Sequence, residues 1–251
     1  MNQPETNRPS GPIRNAYVAR LMGRCAVLLA CAVLLIAKPE QFDILHGMNF
    51  FKQFSLFHIL WVIWVIDMVC QVIPIHKRLP LGSQKLFQQR FRPVLDKINT
   101  PHLREYIVST TKAAYKVMVL WVALIAVIGV LYFQGVLTKN ALLMISVLFY
   151  VCDLICVLVW CPFRLMMKTR CCTTCRIFNW DHLMMFSPLI FVGGFFALSL
   201  FLLSVLVWLV WELCILLYPE RFWEYSNAAL KCSNCTDKLC TQYCQKLKRP
   251  Q

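Results

Sequence analysis

None of the short signatures of nucleotide, peptide or ester chemistry is present. There is no P-loop, no dinucleotide-binding glycine pattern, no H-E-x-x-H and no G-x-S-x-G. There is no internal repeat and no low-complexity domain, which argues against a repeat architecture. Acidic residues are also scarce: 12 Asp and Glu face 26 Lys and Arg in 251 residues, a formal charge of +14. Such a balance in a soluble domain would suggest nucleic acid. Here the cations lie in connectors between apolar runs, where they set orientation and meet anionic lipid, so no nucleic-acid partner is expected. With no enzyme signature, the chain is not expected to be an enzyme on its own.

Apolar length is what the chain has in excess. Hydrophobic residues make up 59% and the mean hydropathy is +0.59, against roughly 45–50% apolar in an average soluble domain. A bilayer core needs about 20 apolar residues at ~1.5 Å each. Residues 54–75, 115–134, 141–161 and 187–218 meet that length. The run 25–37 is shorter and follows Arg8, Arg14, Arg20 and Arg24, as a signal peptide would. A poor small-x-small pattern favours an uncleaved helix over 19–37. The expected fold is therefore all-α: a polytopic helical membrane protein of about five spans over 19–218. A flexible basic N-terminus (1–18) precedes it, and a Cys-rich tail (219–251) follows a Cys-rich loop.

The run 187–218 would be ~48 Å long as one helix. Ser187 is its candidate N-cap and Pro188 suits the first helical position. Gly193-Gly194 would permit close helix packing. Loop 76–114 carries eight Lys or Arg and loop 162–186 four, against two in 38–53 and one in 135–140. That alternation puts the N-terminus in the cytoplasm of a cell or inner membrane and, with five spans, the tail outside. The six cations of the tail sit awkwardly with that export. Within loop 76–114, LFQQRF and HLREYIVSTTKAAY suit short helices lying at the membrane surface.

Fourteen cysteines divide into two kinds. Those inside apolar runs, such as Cys31, Cys152 and Cys156, pack as small hydrophobes. The others cluster in polar segments. Cys232, Cys235, Cys240 and Cys244 are spaced C-x2-C-x4-C-x3-C, close enough for four thiolates to reach one zinc ion, or to form two disulfides in an exported tail. Cys171, Cys172 and Cys175 lie among cations that stabilise thiolates, with His182 seven residues beyond Cys175. Cys172, Cys175 and His182 with one further group make a comfortable tetrahedral set. Were the tail on the same side, the two groups could share an iron–sulfur cluster or two zinc ions. Asp67 and Asp153 fall inside apolar runs, and Gln71 shares a helix face with Asp67. Acids there are costly, and mark either interhelical glue or an ion path.

Four or five spans with surface cysteine groups resemble, distantly, iron–sulfur membrane subunits that pass electrons to or from quinol. Those carry C-x3-C-P runs; here Cys156 and Cys161-Pro162 stand one residue too far apart. Three functions follow as expectations. The first is a membrane subunit or scaffold with a surface thiolate metal site, in the lipid bilayer with a membrane partner or a second copy. The second is a redox component with an iron–sulfur cluster or reactive dithiol. The third is a small transporter using Asp67 and Asp153.

Overall fold

The computed structural model describes residues 12–73, 91–94, 100–169, 175–231 and 234. Cys171, Cys172, Cys232, Cys235, Cys240 and Cys244 lie outside them. Among the described residues the chain is helical, with no strand and one isolated bridge, Pro93 to Asn227. Among the described residues, seven α-helices run in chain order: α1 (Pro12–Ala37), α2 (Phe57–Val72), α3 (Thr100–Phe133), α4 (Lys139–Leu158), α5 (Phe163–Met167), α6 (Asp181–Phe186) and α7 (Gly194–Leu217). Four of them, α1, α3, α4 and α7, are long and apolar enough to cross a membrane.

Burial is distributed inside-out. Half of the most apolar window of α4 is buried, but only 6% of that of α1. Leu29, Val33 and Ile36 of α1, Val119 and Leu120 of α3, and Leu213 and Leu216 of α7 all face outward. In water such continuous apolar surface would be a severe liability; against acyl chains it costs nothing. The core is aromatic at its centre: fully buried Trp64 of α2 meets Tyr150 of α4 at 5.8 Å and Phe186 of α6 at 5.1 Å between ring centroids, both edge-on.

Several helices start or stop away from their sequence-expected limits, each for a local reason. Residues 12–18, expected to be flexible, already belong to α1. The stretch 102–115, expected as a separate surface helix, is the opening part of α3. α2 is only 16 residues long. Its start is fixed by His58, whose Nδ1 accepts from the Ser55 amide (3.0 Å) while Nε2 donates to Phe50 O (2.8 Å). At ~24 Å it is shorter than the ~30 Å bilayer core, so flanking residues must complete any crossing. α4 is capped by Thr138, whose hydroxyl accepts from the Ala141 amide at 3.2 Å.

The apolar run 187–218 departs most from expectation. It is not one helix. Pro188 opens a five-residue 3-10 stretch, Ser187–Phe191, that continues from α6. Gly193 and Gly194 then take left-handed φ values of 70° and 75°, which reverse the chain. A Cβ on Gly194 would lie 2.8 Å from Leu45 O and 3.0 Å from Gly47 N, and the Phe195 amide bonds Gly47 O at 3.0 Å. The glycine pair thus seats the start of α7 on the 45–47 turn.

The contacts along these segments show the reversal. Trp121, midway along α3, donates to Ser187 Oγ at 3.0 Å. Phe191 meets Gly129, Tyr132 and Phe133 at the far end of α3. Residues 181–193 therefore rise along α3 to the end of the bundle that holds the 38–56 and 134–138 connections. α7 descends again. Trp61 near the start of α2 donates to Ser199 at 2.9 Å, and Glu212, far down α7, takes Arg176 and Trp180. Beyond α7, Tyr106 near the start of α3 donates to Phe222 O at 3.3 Å. Residues 91–94 pair with the same segment: Ala228 N to Arg92 O at 2.8 Å, and Val94 N to Ser226 O at 3.1 Å. The segment after α7 thus leaves the bundle at the end where α1 and α3 start and α2 and α4 finish.

Candidate functional site: a buried charge cluster

Three acids, one arginine, one histidine and one amide meet inside the bundle, near that end. Arg24 reaches in from α1. Its Nη1 donates to Asp153 Oδ2 and to the Tyr150 carbonyl, each at 2.7 Å, and its Nη2 lies 3.8 Å from Asp67 Oδ2. The guanidinium carbon sits 4.0 Å from the Tyr150 ring centroid, so an aromatic face covers the charge. Asp67 comes from α2 and Asp153 from α4.

The second half of the cluster is built by α6. His182 Nε2 lies 3.4 Å from Asp67 Oδ2, and its Nδ1 lies 3.0 Å from Asp181 Oδ1 and 2.9 Å from Gln71 Oε1. Gln71 Nε2 donates to Asp181 Oδ1 at 3.1 Å, and the His182 amide to the same oxygen at 2.7 Å. Every atom facing the imidazole nitrogens is an acceptor, the arrangement that the doubly protonated ring satisfies. Two cations then face three carboxylates within ion-pair reach. Arg20, about one turn earlier on α1, adds a weaker field at Asp67. The cluster is closed on most sides: side-chain exposure is 7% for His182 and 13% for Arg24, but 33% for Asp67, which forms its opening.

Asp67, Gln71 and Asp153, singled out in the sequence, are thus brought together, and His182 joins them. Arg24 and Asp181 were missed. Arg24 counted only as an orienting cation, yet two acids within apolar runs of an acid-poor chain required an interior cation. Asp181 was passed over as a loop residue because α6 is too short to show periodicity. A second buried pair was missed too: Arg176 clamps Glu212 of α7 through two nitrogens and donates to Thr111 of α3 at 2.6 Å, while Trp180 Nε1 donates to Glu212 at 2.8 Å.

Cys175 lies elsewhere. It is buried in the wall of a cavity of about 230 Å³, which it shares with Cys152, Cys156 and Cys161, and which Asp153 and Asp181 border on the cluster side. Burial pushes the Cys175 thiol up to about 11. Among the described residues no three His, Cys, Asp or Glu side chains converge as a metal-holding group. No protein-family model, curated protein or solved structure matches the chain.

The ion pair at the centre carries a direct test. Arg24→Ala leaves Asp153 buried without its partner, and removing one member of such a pair costs about 3–5 kcal/mol. The double substitution Arg24→Leu/Asp153→Leu is expected to recover most of that loss, read as unfolding midpoints of the detergent-purified protein.

Proposed function

We propose that this chain is a multi-pass membrane protein that takes up and releases protons at the Asp67–His182–Asp181 cluster, acting as a small proton-coupled carrier. The observation that carries the reading is the charge count: among the described residues, three carboxylates lie within reach of two cations in a mostly closed interior. A cluster serving only as glue gains from exact neutrality, since an uncompensated charge in low dielectric is costly. One carboxylate in excess calls for a mobile proton or other cation.

The broken path of residues 181–193 supports the same reading. Irregular backbone at membrane depth is tolerated only where protein or a cavity surrounds it, and carriers place their sites at such interrupted helices. In reconstituted vesicles carrying a pH-reporting dye, an imposed potential is expected to drive proton entry through the wild type. Asp67→Asn should slow it by about tenfold or more, the scale on which coupled sites lose 1–3 kcal/mol. Wild-type vesicles no more permeable than protein-free ones would sink the reading.

The topology proposed with it has six crossings, with 181–193 as the fifth and α7 as the sixth. It puts the N-terminus, the α2–α3 and α4–α6 connections and the tail together in the cytoplasm. Leaving aside Arg24 in the cluster, their three, six, four and six Lys or Arg then all lie on one side, against two and one on the other. The awkward cations of the tail are thereby explained. Reporters fused to the N- and C-termini should register the same side, and one inserted at Gly47 the opposite side; a C-terminal reporter registering outside would restore five crossings.

The return of the chain after α7 also favours a second reading. A zinc or iron–sulfur centre shared by Cys171, Cys172 and Cys175 with Cys232, Cys235, Cys240 and Cys244 needs both groups on one side, as this topology puts them. Metal analysis of the purified protein checks it: zinc or iron lost on replacing the four tail cysteines supports the centre, and metal-free protein excludes it.

A further inference from the structure

We propose that Cys156 and Cys161 form a binding site for a soft monovalent cation of the Cu(I) or Ag(I) class. Both thiols line the same cavity, and neither is joined in a disulfide. The end of α4 brings both to that wall. The amides of Val159 and Trp160 both bond Ile155 O, at 2.8 and 3.1 Å, a widened last turn between Cys156 and Cys161. Pro162 then starts α5 and fixes the turn.

The surroundings are those of a soft-metal chamber. Cys152 stands one turn before Cys156, and Cys175, Met184 and Met185 complete the wall of the same cavity. Six sulfur side chains thus border one partly open cavity. Thiolate and thioether ligands select soft ions, and two close thiolates supply the low, near-linear coordination that d10 monovalent cations accept. Zinc needs four ligands, and no set of three His, Cys, Asp or Glu side chains converges among the described residues, which leaves a two-thiol site. Packing as small hydrophobes explains cysteines in a filled core. It does not explain four thiols bordering about 230 Å³ of open space. The site stands on this cavity and not on the carrier reading, since binding is measured without flux.

The test uses the full chain, reduced and anaerobic in detergent, titrated with Cu(I) against a chromophoric Cu(I) chelator. The wild type is expected to take up one more tight equivalent than the Cys156→Ser/Cys161→Ser variant. In a background with Cys171, Cys172, Cys232, Cys235, Cys240 and Cys244 replaced by Ser, the loaded copper should show sulfur-only, low-coordinate X-ray absorption. Equal tight uptake by the double variant overturns the site, and so does its occupation by zinc in preference to Cu(I). Should the double variant fail to fold, maleimide labelling of the wild type decides. Ag(I) protecting Cys156 and Cys161 supports the site, and unaltered labelling rejects it.

Discussion

Arg24 is the residue around which the bundle is organised. It is the only cation from α1 to reach the interior among the described residues, and it holds Asp153 of α4 while facing Asp67 of α2. Between apolar helices in lipid there is no hydrophobic force to choose one packing over another, because acyl chains are as apolar as leucine. Polar contacts and tight packing must set register. α1 shows how far this goes. Its outward surface is apolar, Tyr17 and Leu21 pack on the end of α4, Val27, Leu28, Leu34 and Leu35 lean on the core, and Arg24 adds the polar contact that fixes its rotation. Turning α1 by one residue would withdraw the guanidinium and leave Asp153 without its partner, at a cost of several kcal/mol.

The interrupted path from Asp181 to Gly194 follows from the same need. A continuous helix from Ser187 to Tyr218 would put Gly193 and Gly194 in its interior and leave Asp181 and His182 below its start. Instead, Ser187 takes the Trp121 indole and donates to Met184 O at 2.8 Å, and Pro188 opens a tighter stretch. The chain therefore climbs along α3 as a short helix with a 3-10 extension. Its lower end presents Asp181 and His182 to Gln71 and Asp67, and its upper end turns on two left-handed glycines. One structural break thus builds half of the charge cluster and sends α7 back to the end where α1 starts.

Much of this was legible in the residues. Apolar length located α1, α3 and α4 to within a few residues at one end or both, and helical spacing put Asp67 and Gln71 on one face, where they do meet His182. The run 187–218 was misread because hydropathy measures length and not direction. Thirty-two apolar residues look alike whether they cross straight or fold back, and only the φ > 0 demand at Gly193-Gly194 betrays the turn. His182 was read by its spacing from Cys175, a local argument. Apart from the adjacent Asp181, its partners come from α2, more than a hundred residues away, where no spacing rule reaches. Arg24 was hidden by its neighbours: four arginines in a row of orienting cations conceal the one that turns inward.

The scarcity of acids gives the interior cluster its weight. Of the twelve Asp and Glu in the chain, Asp67, Asp153, Asp181 and Glu212 all lie within the helical bundle, each held by buried basic or amide groups. A third of the chain's negative charge is thus taken from the surface, where it would be cheap, and put where it is most costly. Glu212 is explained as structure, because a single bidentate arginine neutralises it. The other three share Arg24 and His182 as ion-pair partners, with Arg20 acting on Asp67 only from a distance. The proposed proton site rests on the third carboxylate beside Asp67, which at 33% exposure is the open side of the cluster.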